Sequence, residues 1–278
     1  MKIIQLISCL LLTCFVKEQE AKLMFPLGHT SNVTTAMFSP DGKKIVTASE
    51  DFTAKVWDAV TGVLLADLKG HTYSVYTACF SPDGKKIVTA SGDNTAKIWD
   101  AATGVLLANL KGHASYIIEA SFSPDGEKIV TASGDNTAKI WDAASGVLLA
   151  DLKGHTNDVY AASFSPDGEK IVTASGDNTA KIWDAATGVL LADLNGHTST
   201  VEAVFFSPDG KKIITASEDD FAKIWDAATG VLLADLKGHT NWVNTASFSP
   251  DGKKIVTASG DNTAKIWDAA TGVLLASL

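Results

Sequence analysis

Arginine is absent from this chain. Every basic residue is a lysine, and 23 lysines face 32 acids for a formal net charge of −9. Arginine is the side chain that reads phosphate and guanine with two hydrogen bonds at once. Its absence argues against a nucleic-acid partner, and the acid excess argues against contact with an anionic membrane. Cysteine is scarce as well: three thiols in 278 residues do not build a disulfide framework. Prolines are few and 46% of the residues are hydrophobic, so the chain is globular rather than disordered. No segment combines helical period with helical length, which removes coiled coils and helical solenoids. Histidines occur only within one recurring motif, so no Cys/His spacing is left for a zinc site. The Asp-rich turns lack an EF-hand pattern. No metal or cofactor is expected.

What is present is repetition. Six copies of a 42-residue unit run in register from Gly28 to Leu278, with Gly-His pairs at 28, 70, 112, 154, 196 and 238. Trp-Asp pairs recur at 57, 99, 141, 183, 225 and 267. Residues 83–108 and 251–276 are identical letter for letter, which points to recent amplification. A residue present in all six copies belongs to the frame, because catalysis needs an asymmetric site. Function is therefore to be sought where the copies differ.

Each unit reads as four short antiparallel strands. In the second copy these are Val75 to Phe80, Lys86 to Ser91, Thr95 to Trp99 and Val105 to Leu110. Ser81-Pro82-Asp83-Gly84, Gly92-Asp93-Asn94 and Ala101 to Gly104 supply the turns between them. Turn signals at this spacing indicate an all-β array.

The coupled Gly-His, Ser-Pro-Asp-Gly turn, Asp turn and Trp-Asp pair, in that order six times, resemble the WD-repeat (WD40-type) β-propeller family over residues 28–278. The resemblance implies one blade per unit around a central channel, hence six four-stranded antiparallel blades, and we expect a closed ring. It also implies a structural tetrad in each blade, a hydrogen-bonded relay of His, Thr, Asp and Trp. These are His29, Thr47, Asp51, Trp57; His71, Thr89, Asp93, Trp99; His113, Thr131, Asp135, Trp141; His155, Thr173, Asp177, Trp183; His197, Thr215, Asp219, Trp225; and His239, Thr257, Asp261, Trp267. Twenty-four strands complete six blades, yet Ala21 to Leu27 occupies the register of a further fourth strand. It competes with Val273 to Leu278 for the edge of the last blade, and Pro26 weakens it because proline lacks a ladder N–H.

Ahead of the repeats, residues 1–20 form a leader: Lys2, an apolar stretch from Ile3 to Val16, then the charged run Lys17 to Glu20. That order resembles a secretory signal, and Leu11-Leu12-Thr13-Cys14 loosely resembles a lipobox. Export or lipid anchoring is one reading; an extra apolar strand on a cytosolic protein is the other. Cys79 stands where other copies carry Met37, Ser121, Ser163, Phe205 and Ser247, so a buried thiol is expected there.

The copies differ in one band. Four residues after each Gly-His histidine a Val or Ile is constant, while its neighbours vary: Asn32 and Thr34, Ser74 and Tyr76, Tyr116 and Ile118, Asp158 and Tyr160, Thr200 and Glu202, Trp242 and Asn244. The residue before the tetrad Asp varies too, being Glu50 and Glu218 in two copies and Gly in four. The resemblance places these positions on the top face that meets partners. Aromatic anchors in a polar rim are the usual make-up of a protein-binding hot spot. With acids and no base in the set, we expect a protein or peptide that carries lysine or arginine, with a larger assembly possible. An idle repeat array is the alternative, since drift would also scatter residues. A secreted six-bladed hydrolase is a third reading. It fares worst: Glu119, Asp158, Glu202, Glu218 and Asp220 form no pair with a supporting motif, and no catalytic residue is expected.

Overall fold

Each unit folds as a blade because runs of β-branched and small residues are punctuated by turns that reverse the chain. In the computed structural model residues 28–278 are described, and they form twenty-four strands and no helix. The leader, the Ala21 to Leu27 strand, Cys9 and Cys14 lie outside the described residues. Blade 1 consists of β1 (Val33–Phe38), β2 (Lys44–Ser49), β3 (Thr53–Asp58) and β4 (Leu64–Lys69), hydrogen-bonded antiparallel in that order. Five further sheets repeat it. In the second copy the strands are Val75–Phe80, Lys86–Ser91, Thr95–Asp100 and Leu106–Lys111, so the end of the third and both ends of the fourth differ by one residue from the reading of the sequence. The last blade is completed by Leu274–Ser277, paired with Ala264–Asp268.

The turns are held by side chains. Asp83 Oδ1 accepts hydrogen bonds from Ser81 Oγ (2.7 Å) and the Lys85 amide (3.0 Å). Asp100 Oδ1 accepts from the Thr103 amide (2.8 Å) and hydroxyl (2.7 Å). The glycines closing these turns are left-handed, and one kind also packs tightly. Gly146 (φ +73°) would place a Cβ 2.9 Å from Ala108 Cβ of the preceding blade, whereas Gly168 (φ +74°) would meet nothing nearer than Pro124 Cδ at 3.6 Å. Gly168→Ala should therefore cost only the left-handed strain, about 1–2 kcal/mol. Gly146→Ala should cost roughly 1–3 kcal/mol more from overpacking. Chemical denaturation of the two variants checks the difference.

Blades join through one recurring interface. β2, β3 and β4 present Val46, Ala48, Ala54, Val56 and Leu68 to Val75, Ala78, Phe80, Ile87, Trp99 and Ala101 of blade 2. The equivalent residues meet at the next four joints. Lysines tie several joints further: Lys44 Nζ donates to the Ala101 carbonyl (3.0 Å) and Lys86 Nζ to that of Ala143 (2.7 Å).

The expected closed ring is where fold and expectation part. The inner strand of each blade packs on that of the next, from β1 through to Val243–Phe248, but no comparable packing returns from blade 6 to β1. Both end faces are bare among the described residues. Phe38 is 66% exposed where its counterpart Phe80 is 9% exposed, and Val256 is 41% exposed where Val88 is fully buried. The five joints are made of equivalent residues, and the matching faces of blade 6 and blade 1 do not form a sixth among the described residues. The six inner strands still surround a common channel of about 690 Å³.

Candidate partner-binding face

A relay of four side chains fixes the turn at the top of every blade. In blade 2, His71 Nδ1 lies 2.8 Å from Asp93 Oδ2 and its Nε2 lies 2.7 Å from Thr89 Oγ1, which also accepts the Trp99 indole N–H at 2.9 Å. The same three bonds, at 2.7–2.9 Å, occur in the other five blades. One proton assignment satisfies the set: His Nδ1–H donates to the carboxylate, and the threonine hydroxyl donates to Nε2. The aspartate also accepts the amide two residues ahead, and in every blade but the fifth, where that residue is Phe221, the threonine hydroxyl there, as Asp93 does from Thr95 at 3.0 and 2.6 Å. All twenty-four tetrad residues thus hold the frame on which the variable residues stand.

Titration follows from this burial. Desolvation pushes His71, His113 and His155 below their ordinary value, against the pull of their aspartates. For Asp93, burial raises the pKa, but the bonds from His71 and Thr95 outweigh it and hold the carboxyl well below the usual range. Asp135 is likewise held at about 2. As pH falls through about 6.5 the unfolded chain binds protons that these buried imidazoles refuse, so stability declines. The aspartates' contribution is present above the unfolded carboxylate pKa and is lost as pH falls through their folded values. The expected melting profile is flat above neutrality, declines below about pH 6.5 and drops again below about pH 4. A constant melting temperature from neutrality down to pH 5 would contradict the buried neutral histidines.

Above the tetrads, the structure brings the variable positions of each blade together. The residue before the constant Val or Ile accepts, through its carbonyl, the amide of the residue before the tetrad Asp: Gly92 N to Ser74 O is 2.9 Å, Glu218 N to Thr200 O 3.0 Å and Gly260 N to Trp242 O 2.8 Å. The residue after the constant Val or Ile sits on a β-bulge in all six inner strands, where the pairing register slips. These are Thr34, Tyr76, Ile118, Tyr160, Glu202 and Asn244. A bulge re-aims its side chain and is tolerated at the end of a strand.

The choice of Gly or Glu before the tetrad Asp has a steric reason. A Cβ at Gly134 would fall 2.6 Å from the Tyr116 ring, and one at Gly92 would fall 2.3 Å from Tyr73. Glu50 and Glu218 occur in the blades where the positions of Tyr73, Asn157 and Asn241 carry the small Ser31 and Ser199, and that of Tyr116 carries Asn32 and Thr200. Glu50 accepts Asn32 Nδ2 at 3.0 Å and Ser31 Oγ at 3.3 Å. Thr34 is turned to a structural use, its hydroxyl donating to the Val75 carbonyl of the next blade at 2.7 Å.

Two groupings cross from blade to blade. Tyr116 Oη donates to Asp158 Oδ2 at 2.6 Å, a bond that raises the phenol to about 12. Glu202, Glu218, Trp242 and Asn244 line a cleft of about 350 Å³ between blades 5 and 6. Burial first, and the Glu218 charge second, push the Glu202 carboxyl upward. The lining holds two carboxylates, an exposed indole and no base. Burial and the charges of Asp158, Glu202 and Glu218 raise Tyr160 as well, which places that phenol in the same acidic field. Tyr76 feels burial, Tyr73 and Glu50.

Tyr73 was not in the set read from the sequence. It is exposed and stacks on Phe52 across blades 1 and 2 at 5.8 Å and 11°. The signal was there: two residues after each Gly-His histidine the copies read Ser31, Tyr73, Ser115, Asn157, Ser199 and Asn241. Glu119 and Cys79 line the channel instead. Burial raises Glu119 to about 7 and the Cys79 thiol to about 12, and Glu119 accepts the Ala162 amide at 3.0 Å. Among the described residues no cluster of three His, Cys, Asp or Glu could hold a metal ion.

The family profile described as "WD domain, G-beta repeat" matches six times, at residues 21–58, 62–100, 104–142, 146–184, 188–226 and 230–268. The chain belongs to the WD40 repeat family. Individual WD40 relatives are matched only locally. A 49-residue stretch, 18% of this chain, is 41% identical to 5% of Periodic tryptophan protein 2 of Saccharomyces cerevisiae. A 41-residue stretch, 15% of this chain, is 51% identical to 13% of Target of rapamycin complex subunit wat1 of Schizosaccharomyces pombe. These lengths correspond to about one WD40 unit, so the likeness concerns the blade and not the whole relative.

Proposed function

We propose that this WD40 array is a non-enzymatic platform whose top face holds a protein or peptide through a lysine or arginine side chain. The observation that carries the reading is the cleft between blades 5 and 6. Glu202 and Glu218 both line it, no lysine among the described residues pairs with either, and their mutual repulsion is relieved by any cation that enters. Trp242 adds an aromatic face, on which an ammonium or guanidinium gains about 0.5–2 kcal/mol. Tyr76, Tyr116 and Tyr160 extend the surface with rigid rings that lose little entropy on binding. The tetrads below keep that surface fixed, so little ordering remains to be done when a partner docks. One of the matched relatives is named as a subunit of a complex, which accords with a scaffold role.

The test is direct. Binding of a lysine-containing peptide to Glu202→Lys/Glu218→Lys should fall on the order of 10- to 100-fold relative to the unaltered protein, with a weaker salt dependence. The control carries Glu127→Lys and Glu169→Lys, which change the charge equally at the opposite end of the blades, where other copies already have lysine. Equal binding by both variants and the unaltered protein would remove the cleft from the account.

A further inference from the structure

A second band of variation lies on the inner strands, below the top face. Two and four residues after the constant Val or Ile, the copies differ again. The first of these positions is threonine in blades 1, 2 and 6, alanine in blades 4 and 5, and Glu119 in blade 3. The second is Met37, Cys79 or Phe205 in three blades and serine in the other three, and the phenylalanine that follows it never changes. Alternate residues of a strand share one side, and here that side faces the channel. All six residues of the second position line it, with Thr35, Thr77 and Glu119 of the first. A frame repeated six times thus encloses a wall that is not symmetric.

Among the described residues that line the channel, Glu119 is the only charged one; most of the rest are phenylalanine, proline and small side chains. One Glu119 oxygen accepts the Ala162 amide of blade 4 at 3.0 Å, nothing among the described residues donates to the other, and no lysine pairs with it. The joint does not require an acid there. Between blades 1 and 2 the hydroxyl of Thr35 accepts the equivalent amide, that of Ala78, at 3.3 Å. In blades 4 and 5 an alanine at this position offers no acceptor at all. A carboxylate taken partly out of water without a partner costs free energy, and the frame gains nothing from it that a threonine would not give. Phe205 is similar: it stands in the channel wall where three copies have serine, yet 38% of it is exposed.

We propose that the channel binds a small organic cation, an amine on an apolar body, with its ammonium on Glu119 and its body on the phenylalanine wall. A volume of about 690 Å³ suits a small molecule, and an apolar wall with one placed polar group is the usual make-up of such a pocket. An anion would meet Glu119 and no base. A neutral molecule would leave the carboxylate unpaired. The site is separate from the cleft of Glu202 and Glu218, with which it shares no lining residue.

Three probes with one body test this: 4-phenylbutylamine, 4-phenylbutanol and 4-phenylbutanoate. Calorimetric titration of the purified protein at pH 8 should rank them amine, alcohol, acid, with the amine about tenfold or more tighter than the alcohol. Burial holds the Glu119 carboxyl at about 7. Its ionised form, which takes the cation, is nearly complete at pH 8 and falls to about a tenth at pH 6. Amine affinity should therefore drop about tenfold between the two, while that of the alcohol stays level. Glu119→Gln, and Glu119→Thr with the residue of blades 1, 2 and 6, should bring the amine down to the alcohol and abolish the pH dependence, at an unreduced melting temperature. Phe205→Ser should weaken both probes alike. Glu202→Lys/Glu218→Lys should change amine affinity less than about twofold at physiological salt, and Glu119→Gln should leave the lysine peptide bound to the top face, so the two sites fail separately. An amine no tighter than the alcohol overturns the proposal, as does amine binding that survives the loss of Glu119 or disappears with the top-face pair. Absence of binding by all three probes at millimolar concentration overturns it too.

Discussion

Thr131→Val should lower the free energy of unfolding by about 2–5 kcal/mol, although the two side chains have nearly the same shape. The hydroxyl of Thr131 is the meeting point of the blade 3 relay, 2.7 Å from His113 Nε2 and 2.9 Å from Trp141 Nε1. All three residues are buried. Valine would leave the indole N–H and the imidazole nitrogen facing a methyl group. Each polar group stranded in this way costs about 1–3 kcal/mol, more than the net value of a hydrogen bond, because neither water nor protein can replace the lost partner. Thr156→Val, at an exposed position at the head of blade 4, should stay within about 0.5 kcal/mol of the unaltered protein. Urea unfolding of the two variants separates the outcomes. A loss of under about 0.5 kcal/mol at Thr131 would mean that the relay adds nothing beyond the packing of the indole.

The second large effect concerns the top face. Replacing Tyr76, Tyr160 and Trp242 together by alanine should abolish measurable partner binding while leaving the blades folded. Aromatic anchors at the centre of an interface each cost about 2–4 kcal/mol when truncated, and three such losses exceed the margin of a micromolar complex. Trp242 is 55% exposed, so its removal touches little of the core. Tyr76 and Tyr160 stand on β-bulges at the ends of inner strands, where the ladder is already interrupted. Their truncation therefore falls mainly on the surface, and the melting temperature of the triple variant should stay close to that of the unaltered protein.

How much of this could be read from the chain depends on which interactions are local. The strands were legible because their turns are written within a few residues: Ser81 to Gly84 closes on itself through Asp83, and Asp100 with Thr103 closes the next. The residues of the relay were legible through the period, since His71 and Asp93 recur at fixed distance in every copy. The bulge at Tyr76 was not, because register belongs to the pair of strands and not to one. Nor was the reason for Gly134, which lies in the ring of Tyr116 eighteen residues earlier. Tyr73 was missed although its position varies as the others do. Ring closure could not be read at all: a joint such as that of Val46 and Ala54 with Ile87 and Trp99 is a property of two blades together, and no single residue encodes how six of them add up.

The scaffold role requires the top face to be a working surface. The decisive measurement is affinity capture on immobilised protein, unaltered beside the Tyr76→Ala, Tyr160→Ala, Trp242→Ala variant, with both shown to melt alike. We expect a partner that the unaltered protein retains, that the variant loses, and that is eluted by a lysine-rich peptide. Recovery of the same proteins by both, or of none by either, would show that the variable band is drift on an idle frame.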